Sequence, residues 1–160
     1  MNVDSRRPER DISVLLDLFI ASQRLRMLLT QALFDAPLRF DEHAVYTVLR
    51  VLGPRSSTDL ARMLAMPQTT MSDYVRTMLD RGHARRVPNL RDRRSYLVEL
   101  TPSGEEAQRD TRKRFLEAAR RMEGALDLPA EEARRALHAL DDAAAAALED
   151  LYVDAIDQAG

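Results

Sequence analysis

The sequence of 160 residues contains no cysteine. Without cysteine the chain cannot form a disulfide, hold a zinc ion through thiolates or switch state by thiol oxidation. A chain of this length can bury enough apolar surface to fold without metal or disulfide cross-links. We therefore expect one domain, or one domain with helical extensions, that is stabilised by its own core.

Long apolar runs are also absent. No stretch approaches the ~20 consecutive apolar residues that a membrane-spanning helix needs. The first residues, MNVDSRRPERDI, are polar and lack the apolar segment of a secretory signal peptide. These absences predict a cytoplasmic protein that has no membrane partner.

The residue patterns that support catalysis or metal binding are missing as well. The sequence has no cysteine nucleophile, no glycine-rich phosphate loop and no serine, histidine and aspartate grouping that its pattern would bring together. The histidines His43, His83 and His138 are scattered along the chain. We predict a protein that is not an enzyme and has no cofactor and no bound metal.

The charge is unevenly distributed. The formal net charge is −2, which is unusual for a nucleic-acid binder. Residues 54–101, however, contain nine arginines and five acidic residues, a net charge of +4, and the remainder carries −6. Because the local potential decides whether a surface attracts phosphate, segment 54–101 is the candidate for a nucleic-acid contact.

Long amphipathic helices are predicted on both sides of this basic segment. Apolar spacings of three and four predict a first helix over 11–33, which ends at the break over 35–37. Asp41 is expected to N-cap the second helix, and the periodicity predicts that this helix buries Leu52. After Pro129 a last helix carries a narrow, coiled-coil-like apolar seam. We expect the first and last helices to pair with their copies in a second subunit.

Residues 56–82 predict two short helices joined by a tight turn. Ser56 can N-cap the third helix, in a capping-box-like S-x-x-D pattern. The turn 65–67 precedes a fourth helix from Gln68 to Arg81, and Gly82 supplies the positive φ that ends it. The spacing turns one side of the fourth helix inward, namely Met71, Val75, Met78 and Leu79, and leaves Thr69, Ser72, Asp73 and Arg76 facing outward.

Two strand-like runs, 84–88 and 95–100, flank a basic loop, and the second run alternates, with Tyr96, Val98 and Leu100 on one side. Thr101 and Pro102 then begin a fifth helix. The predicted fold is mainly α with a small β-hairpin wing: a winged helix-turn-helix with N- and C-terminal helices forming a dimerisation domain. We divide it into an N-terminal arm and dimerisation helix over 1–37, a DNA-binding domain over 38–101, and a long helix with a C-terminal dimerisation helix over 102–160.

The helix-turn-helix and wing together resemble the MarR family of bacterial transcription regulators. That family's pattern is T-x-x-x-L-A, then S-x-x-V-x-x-L-x-x-x-G, then a wing closing on D-x-R-x5-L-T-x-x-G. The wing motif is the specific part. Two positions depart from the family: Ala65 replaces the usual turn glycine, and Asp73 is acidic. The matching residues, with small shifts in the second part, are Ser56, Leu60, Ala61, Ser72, Val75, Leu79, Arg81, Gly82, Asp92, Arg94, Leu100, Thr101 and Gly104.

The resemblance implies a homodimer with interlocked terminal helices, bound to double-stranded DNA at a pseudo-palindromic site. It implies recognition helices in successive major grooves and a wing-tip arginine in the minor groove, either Arg93 or Arg94. It also implies a possible small-molecule effector that weakens DNA binding. The candidate DNA-binding residues are Ser56, Gln68, Thr69, Thr70, Ser72, Asp73, Arg76, Arg91, Asp92, Arg93 and Arg94.

Some of these assignments have alternatives. Asp73 can accept a hydrogen bond from cytosine, or it can pair with Arg76 one turn later, which we favour. His43 and Tyr46 are candidates for an effector pocket, and a capping or core role is equally consistent with their positions. The dipeptide Glu42-His43 is similar to zinc-sensing members of the family, but the fifth helix lacks the histidines that these members need.

The sequence therefore predicts a dimeric DNA-binding transcription regulator, usually a repressor, whose DNA binding is relieved by a small-molecule ligand. The alternative is a helical interaction protein that uses a winged-helix fold for protein contacts. The positive charge of the wing argues against this alternative.

Overall fold

The computed structural model describes residues 13–90 and 92–157, with side chains described up to residue 154. Over these residues the chain forms six helices and one two-stranded sheet, as the sequence predicts, and none of these helices is long and apolar enough to span a membrane. The elements are α1 (Val14–Ala32), α2 (Phe40–Leu52), α3 (Ser57–Met63), α4 (Gln68–Asp80), β1 (Ala84–Pro88), β2 (Tyr96–Leu100), α5 (Pro102–Glu123) and α6 (Ala130–Asp157).

The described residues divide into two compact units, and the division lies inside α5 after Ala118. The first unit has a continuous apolar core to which α2, α3, α4, the hairpin and α5 all contribute. The predicted inner side of α4 is confirmed, since Met71, Val75 and Met78 are buried. Leu52 is an incorrect prediction: it lies at the end of α2 and is 42% exposed.

The start of α2 also differs from the prediction. The helix begins at Phe40 with Arg39 as its N-cap residue, so Asp41 already lies in the first turn. The capping interaction comes from Glu42, whose Oε2 accepts the Arg39 backbone N–H at 3.0 Å. The other oxygen of Glu42 accepts a hydrogen bond from Arg81, the C-cap residue of α4, at 2.9 Å. One buried carboxylate therefore caps α2 and ties the end of α4 to it.

The turns around α3 and α4 confirm the predicted signals. The Ser56 side chain accepts the Asp59 backbone N–H at 3.1 Å and caps α3. Gly82 has a φ of 68° just after α4, in the left-handed region that favours glycine. Ala65, in the turn between α3 and α4, has a φ of 49°. The position where the MarR pattern has glycine thus keeps the left-handed backbone that glycine would adopt.

The hairpin is antiparallel, with Arg86 opposite Val98 and Pro88 opposite Tyr96. Arg55 adds an isolated bridge to the free edge of β2 through two backbone hydrogen bonds with Val98. Val98 is fully buried, so this face of the hairpin packs on the core. The predicted alternation of β2 is therefore confirmed at its central residue.

The start of α5 is fastened to the turn that follows α4. The Thr101 hydroxyl donates to the Gly82 carbonyl at 2.7 Å, and the Thr101 backbone N–H donates to the His83 carbonyl at 3.0 Å. A Cβ on Gly104 would collide with that same His83 carbonyl. The T-x-x-G end of the wing motif therefore has a structural role, which is to seat the first turn of α5 on this turn.

Candidate nucleic-acid interface

The outward side of α4 is a polar, exposed surface. Thr69, Thr70, Ser72, Asp73 and Arg76 are all exposed, as the sequence predicts. The Ser72 hydroxyl donates to the Gln68 carbonyl at 2.8 Å, which leaves its oxygen lone pairs free to accept. This helix face can therefore offer hydroxyl groups and a guanidinium to a partner.

Asp73 and Arg76 form the pair that we favoured from the sequence. Arg76 Nη2 lies 2.7 Å from Asp73 Oδ1, one helical turn away. Both side chains are exposed, so the pair adds little stability. Its effect is orientation, because the carboxylate holds one edge of the guanidinium and leaves the other free to donate.

The two serines at the start of α3, Ser56 and Ser57, make different hydrogen bonds. The hydroxyl of Ser56 is engaged in the cap and donates to the Asp59 carboxylate at 2.7 Å. Ser57 instead accepts a hydrogen bond from the Gln68 side chain at 3.0 Å. Of the two, Ser57 lines the groove beside α4. The sequence pattern did not single out Ser57, because its neighbour Ser56 has the better cap pattern.

The wing loop is ordered by its own hydrogen bonds. Asp92 Oδ1 accepts the Arg94 backbone N–H at 3.0 Å, and the Asp92 carbonyl accepts the Ser95 backbone N–H at 3.1 Å. The side chains of Arg93 and Arg94 are exposed. Arg91, another of the candidate DNA contacts, lies outside the described residues.

The hairpin carries one arginine on each face, and the two arginines have different partners. Arg85 pairs with Glu99 across the strands, with a nitrogen–oxygen distance of 2.6 Å. Arg86, on the face that carries Val98, lies over the Tyr96 ring at 4.4 Å from its centre. Tyr96 is not among the contacts predicted from the sequence, although the alternation of β2 puts it on the Val98 face. For Arg85 and Arg86 the sequence favours a contact with the DNA backbone or an ion pair with carboxylates.

A groove of about 470 Å³ separates α4 from the wing. Its polar lining comes from the start of α3, the outward side of α4 and the inner face of the hairpin. The structure thus brings part of the predicted DNA-binding set into one groove, whose lining residues are Ser57, Gln68, Ser72, Val75, Arg76, Leu79, Asp80, Arg86 and Tyr96.

His43 and Tyr46, the candidates for an effector pocket, are buried in the core of the first unit. The Tyr46 hydroxyl lies 3.0 Å from Nδ1 of His83, and burial raises the pKa of Tyr46 to about 12. The His43 ring packs at a tilt against Phe115, with 5.3 Å between the ring centres. Burial, and then the nearby positive charge of Arg112, lower the pKa of His43. Both residues have the core role that we considered as the alternative.

A second groove, of about 310 Å³, lies between α1, α2 and α4. Its lining includes two arginines, Arg26 and Arg39, together with three aromatic rings. Burial, and then the charge of Asp41, raise the pKa of Tyr74, whose ring comes from α4. The groove is lined by Arg26, Thr30, Leu33, Phe34, Arg39, Phe40, Asp41 and Tyr74.

Comparison with known families places this geometry in a class. Residues 41–104, from α2 to the first turn of α5, match the winged helix DNA-binding domain family. A probable transcriptional regulator from Pseudomonas aeruginosa is similar over 81% of this chain and 96% of its own, with 28% identity and a TM-score of 0.67. No curated protein sequence gives a significant match to the chain.

Two further solved structures specify the fold. Apo MarR from E. coli is 18% identical, with a TM-score of 0.66 over 84% of this chain and 98% of its own. BpsR from Bordetella bronchiseptica is 24% identical, with a TM-score of 0.72 over 86% of this chain and 98% of its own. The chain contains a winged helix DNA-binding domain. It has the fold of MarR from E. coli and of the other transcriptional regulators to which it is similar.

Proposed function

We propose that this chain is a homodimeric repressor that binds a pseudo-palindromic site in duplex DNA and releases it when a small molecule binds. The observation that carries the proposal is the juxtaposition of the exposed polar face of α4 with an arginine-bearing wing, across one groove. A protein with this task works where the chromosome lies, so we expect a cytoplasmic location.

Within a half-site, α4 supplies the base-reading contacts. The free edge of Arg76 can donate two parallel hydrogen bonds to guanine in the major groove. The hydroxyls of Thr69, Thr70 and Ser72 suit phosphate oxygens, and Gln68 lies on the same helix at its entrance. Asp73 contributes indirectly, since its carboxylate orients Arg76.

The wing supplies the contacts to the flanking minor groove. Arg93 and Arg94 are both exposed at the end of the hairpin, and A·T-rich minor grooves concentrate negative potential that attracts arginine. Asp92 fixes the loop through the Arg94 backbone rather than by reaching DNA. Arg91 shares this loop and stays a predicted contact.

Exposed apolar surface on both terminal helices supports a homodimer. On α1 the exposed apolar residues include Leu15 and Phe19, and on α6 they include Leu148 and Leu151. Exposed apolar side chains on one side of a helix do not stabilise the fold and commonly mark a surface that binds another protein. A second copy of the chain could bury these side chains. In a symmetric dimer the two recognition helices would meet half-sites about one helical turn apart.

The groove between α1, α2 and α4 supports regulation by a small molecule. Its volume of about 310 Å³ is at the lower end of the range for small-ligand sites. Two arginines and three aromatic rings suit a flat anion that displaces the carboxylates of Asp41 and Glu42, with which Arg26 and Arg39 pair. Tyr74 belongs to the recognition helix. The structural relative BpsR has its DNA binding regulated by 6-hydroxynicotinic acid. We therefore place the effector in this groove rather than beside His43 and Tyr46.

The proposed function is tested by measuring binding of the purified chain to DNA upstream of its own gene and of divergent neighbours. Arg76→Ala should weaken specific binding by about 1–3 kcal/mol and reduce the ratio of specific to random binding. Lys113→Ala is the matched control, because it removes one exposed charge from α5. Arg93→Ala with Arg94→Ala should cost more on A·T-flanked sites than on G·C-flanked ones.

The competing function is a winged protein that binds another protein. It predicts no retention on any duplex, and a partner whose affinity is insensitive to salt, whereas DNA affinity falls steeply as salt rises. Equal losses on specific and random DNA for Arg76→Ala would remove the base-reading role of Arg76 while leaving DNA binding in place.

A further inference from the structure

Arg86 is a cation on the inner face of the hairpin, where packing against α4 favours apolar side chains. Its cross-strand partner Val98 is fully buried, and Ala84 on the same face is buried as well. Arg86 lies two residue pairs beyond Ala84 along the hairpin, and its exposed side chain lines the groove beside α4. The arginine is therefore positioned between the wing and the recognition helix.

The charge of Arg86 is not compensated by a carboxylate. Four other arginines of segment 54–101 have one: Arg62 pairs with Asp59, Arg76 with Asp73, Arg81 with Glu42 and Arg85 with Glu99. Among the described residues, none forms an ion pair with Arg86, and its neighbour is the Tyr96 ring at 4.4 Å. Asp80 also lines the groove but does not reach ion-pair distance. No carboxylate of the described residues therefore neutralises Arg86 in the groove.

Tyr96 gives this arginine a fixed orientation. A guanidinium above an aromatic face is attracted by the ring quadrupole, and its N–H groups point outward in the plane of the guanidinium. Stacking thus restricts the side chain without using its hydrogen-bond donors. An arginine held in this way loses less conformational freedom when it binds an anion.

We propose that Arg86, held on Tyr96, binds a backbone phosphate of the DNA at the wing side of the groove between α4 and the hairpin. This inference rests on the proposed DNA-binding function and adds a contact outside the recognition helix and the wing tip. The ligand is a phosphodiester, which is the same for every base sequence. Arg86 therefore sets the register of the DNA against α4 and does not read bases.

The test compares Arg86→Gln with Arg85→Gln in the full-length protein. Both variants remove one arginine charge from adjacent positions of β1, but Arg85 lies on the opposite face and pairs with Glu99. Affinity for an operator duplex and for a random duplex of equal length is measured across a salt series. Arg86→Gln should reduce the slope of log K against log salt by about 0.9 per half-site, with the same fold-loss on both duplexes. Arg85→Gln should keep the slope of the original protein.

Variants of Tyr96 test the stacking independently. Tyr96→Phe keeps the ring face and should bind as the original protein does. Tyr96→Leu should bind about two- to fivefold more weakly per half-site, with the salt slope kept, because the charge of Arg86 remains. Arg86→Lys should behave like Tyr96→Leu, and it provides the test if Arg86→Gln does not fold, as judged by thermal unfolding.

Equal slopes for Arg86→Gln and Arg85→Gln would overturn the phosphate assignment, and so would a loss confined to the operator duplex. If Arg86→Lys is the variant tested, an affinity equal to that of the original protein would overturn it. A chain that retains neither duplex would overturn the proposed function together with this inference. If Arg86→Gln and Arg85→Gln both bind DNA as the original protein does, the phosphate contact of Arg86 is overturned and the proposed DNA-binding function stands.

Discussion

At the scale of single residues, Ala65 shows how a sequence can depart from a family pattern while the backbone does not. Its φ of 49° lies in the left-handed region, which costs a residue with a Cβ about 1–2 kcal/mol. The turn between α3 and α4 imposes this conformation because the chain must reverse within a few residues. Ala65 therefore stores strain directly before the recognition helix.

Ala65→Gly should stabilise the protein by about 0.5–1 kcal/mol, because it relieves the strain but adds freedom to the unfolded chain. The measurement is the free energy of unfolding from urea titration. Gly82→Ala is the reciprocal control and should destabilise by about 1 kcal/mol. An added Cβ at Gly82 meets nothing within 4 Å, so its cost is conformational alone. A destabilised Ala65→Gly protein would show that the alanine methyl has a packing role that outweighs the strain.

His43 is a residue whose role the sequence left open and the structure decides. It is 4% exposed, and its Nδ1 has no hydrogen-bond partner among the described residues. Its position at the start of α2 gave no indication of burial, because burial here comes from Phe115 on α5, which is 72 positions away in the sequence. Contacts between residues so far apart in sequence are not encoded in local periodicity.

The lowered pKa of His43 makes stability depend on pH. The folded state disfavours the charged ring, while the unfolded state titrates near the ordinary value of 6.5. The neutral His43 ring therefore does not destabilise the fold above about pH 6.5. As the pH falls below 6.5 toward the pKa of the folded state, the free energy of unfolding decreases. His43→Gln should reduce the difference in unfolding free energy between about pH 7.5 and pH 5.5. An unchanged difference would show that His43 does not contribute to the pH dependence of stability.

At the scale of elements, the order and type of every helix and strand followed from periodicity and from cap and turn signals. The wing register was also predictable, because a period of two fixes which side of β2 faces the core. The first residue of α2 was not predictable from the sequence. Asp41 has the better capping propensity, but Glu42 is the residue whose carboxylate accepts the Arg39 backbone N–H. That choice depends on Arg81, which the Glu42 carboxylate also binds.

Arg81→Met should therefore loosen the attachment of α4 to α2. The Glu42 side chain is 5% exposed and would lose its closest cationic partner, whereas Arg81 is 42% exposed. Removing one partner of a fully buried ion pair costs about 3–5 kcal/mol of folding free energy. Because Arg81 is partly exposed, we expect Arg81→Met to cost about 1–2 kcal/mol. Urea unfolding of Arg81→Met, Glu42→Gln and the double variant measures the coupling. Strictly additive losses would contradict a direct interaction between the two side chains.

At the scale of the whole molecule, the charge distribution explains how a protein with a net charge of −2 can be suited to DNA. Segment 54–101 has a net charge of +4, and the rest of the chain has a net charge of −6. The candidate site was predictable where it depends on local pattern, as for the outward side of α4. It was not predictable where it depends on two chain segments meeting, as for the stacking of Arg86 on Tyr96 and the groove that includes Tyr74.

The prediction at this scale concerns assembly, because neither terminal helix can cover its own apolar side chains. Leu148 and Leu151 on α6 are 51% and 66% exposed. If a second copy covers them, Leu148→Glu with Leu151→Glu should give a monomer in sedimentation velocity, since buried unpaired carboxylates oppose association. Operator affinity should then fall at least about a hundredfold, because two linked half-sites become one. Ala146→Glu, which adds the same charge on the other side of α6, should leave a dimer. A double variant that stays dimeric and binds its operator normally would place the subunit contact elsewhere.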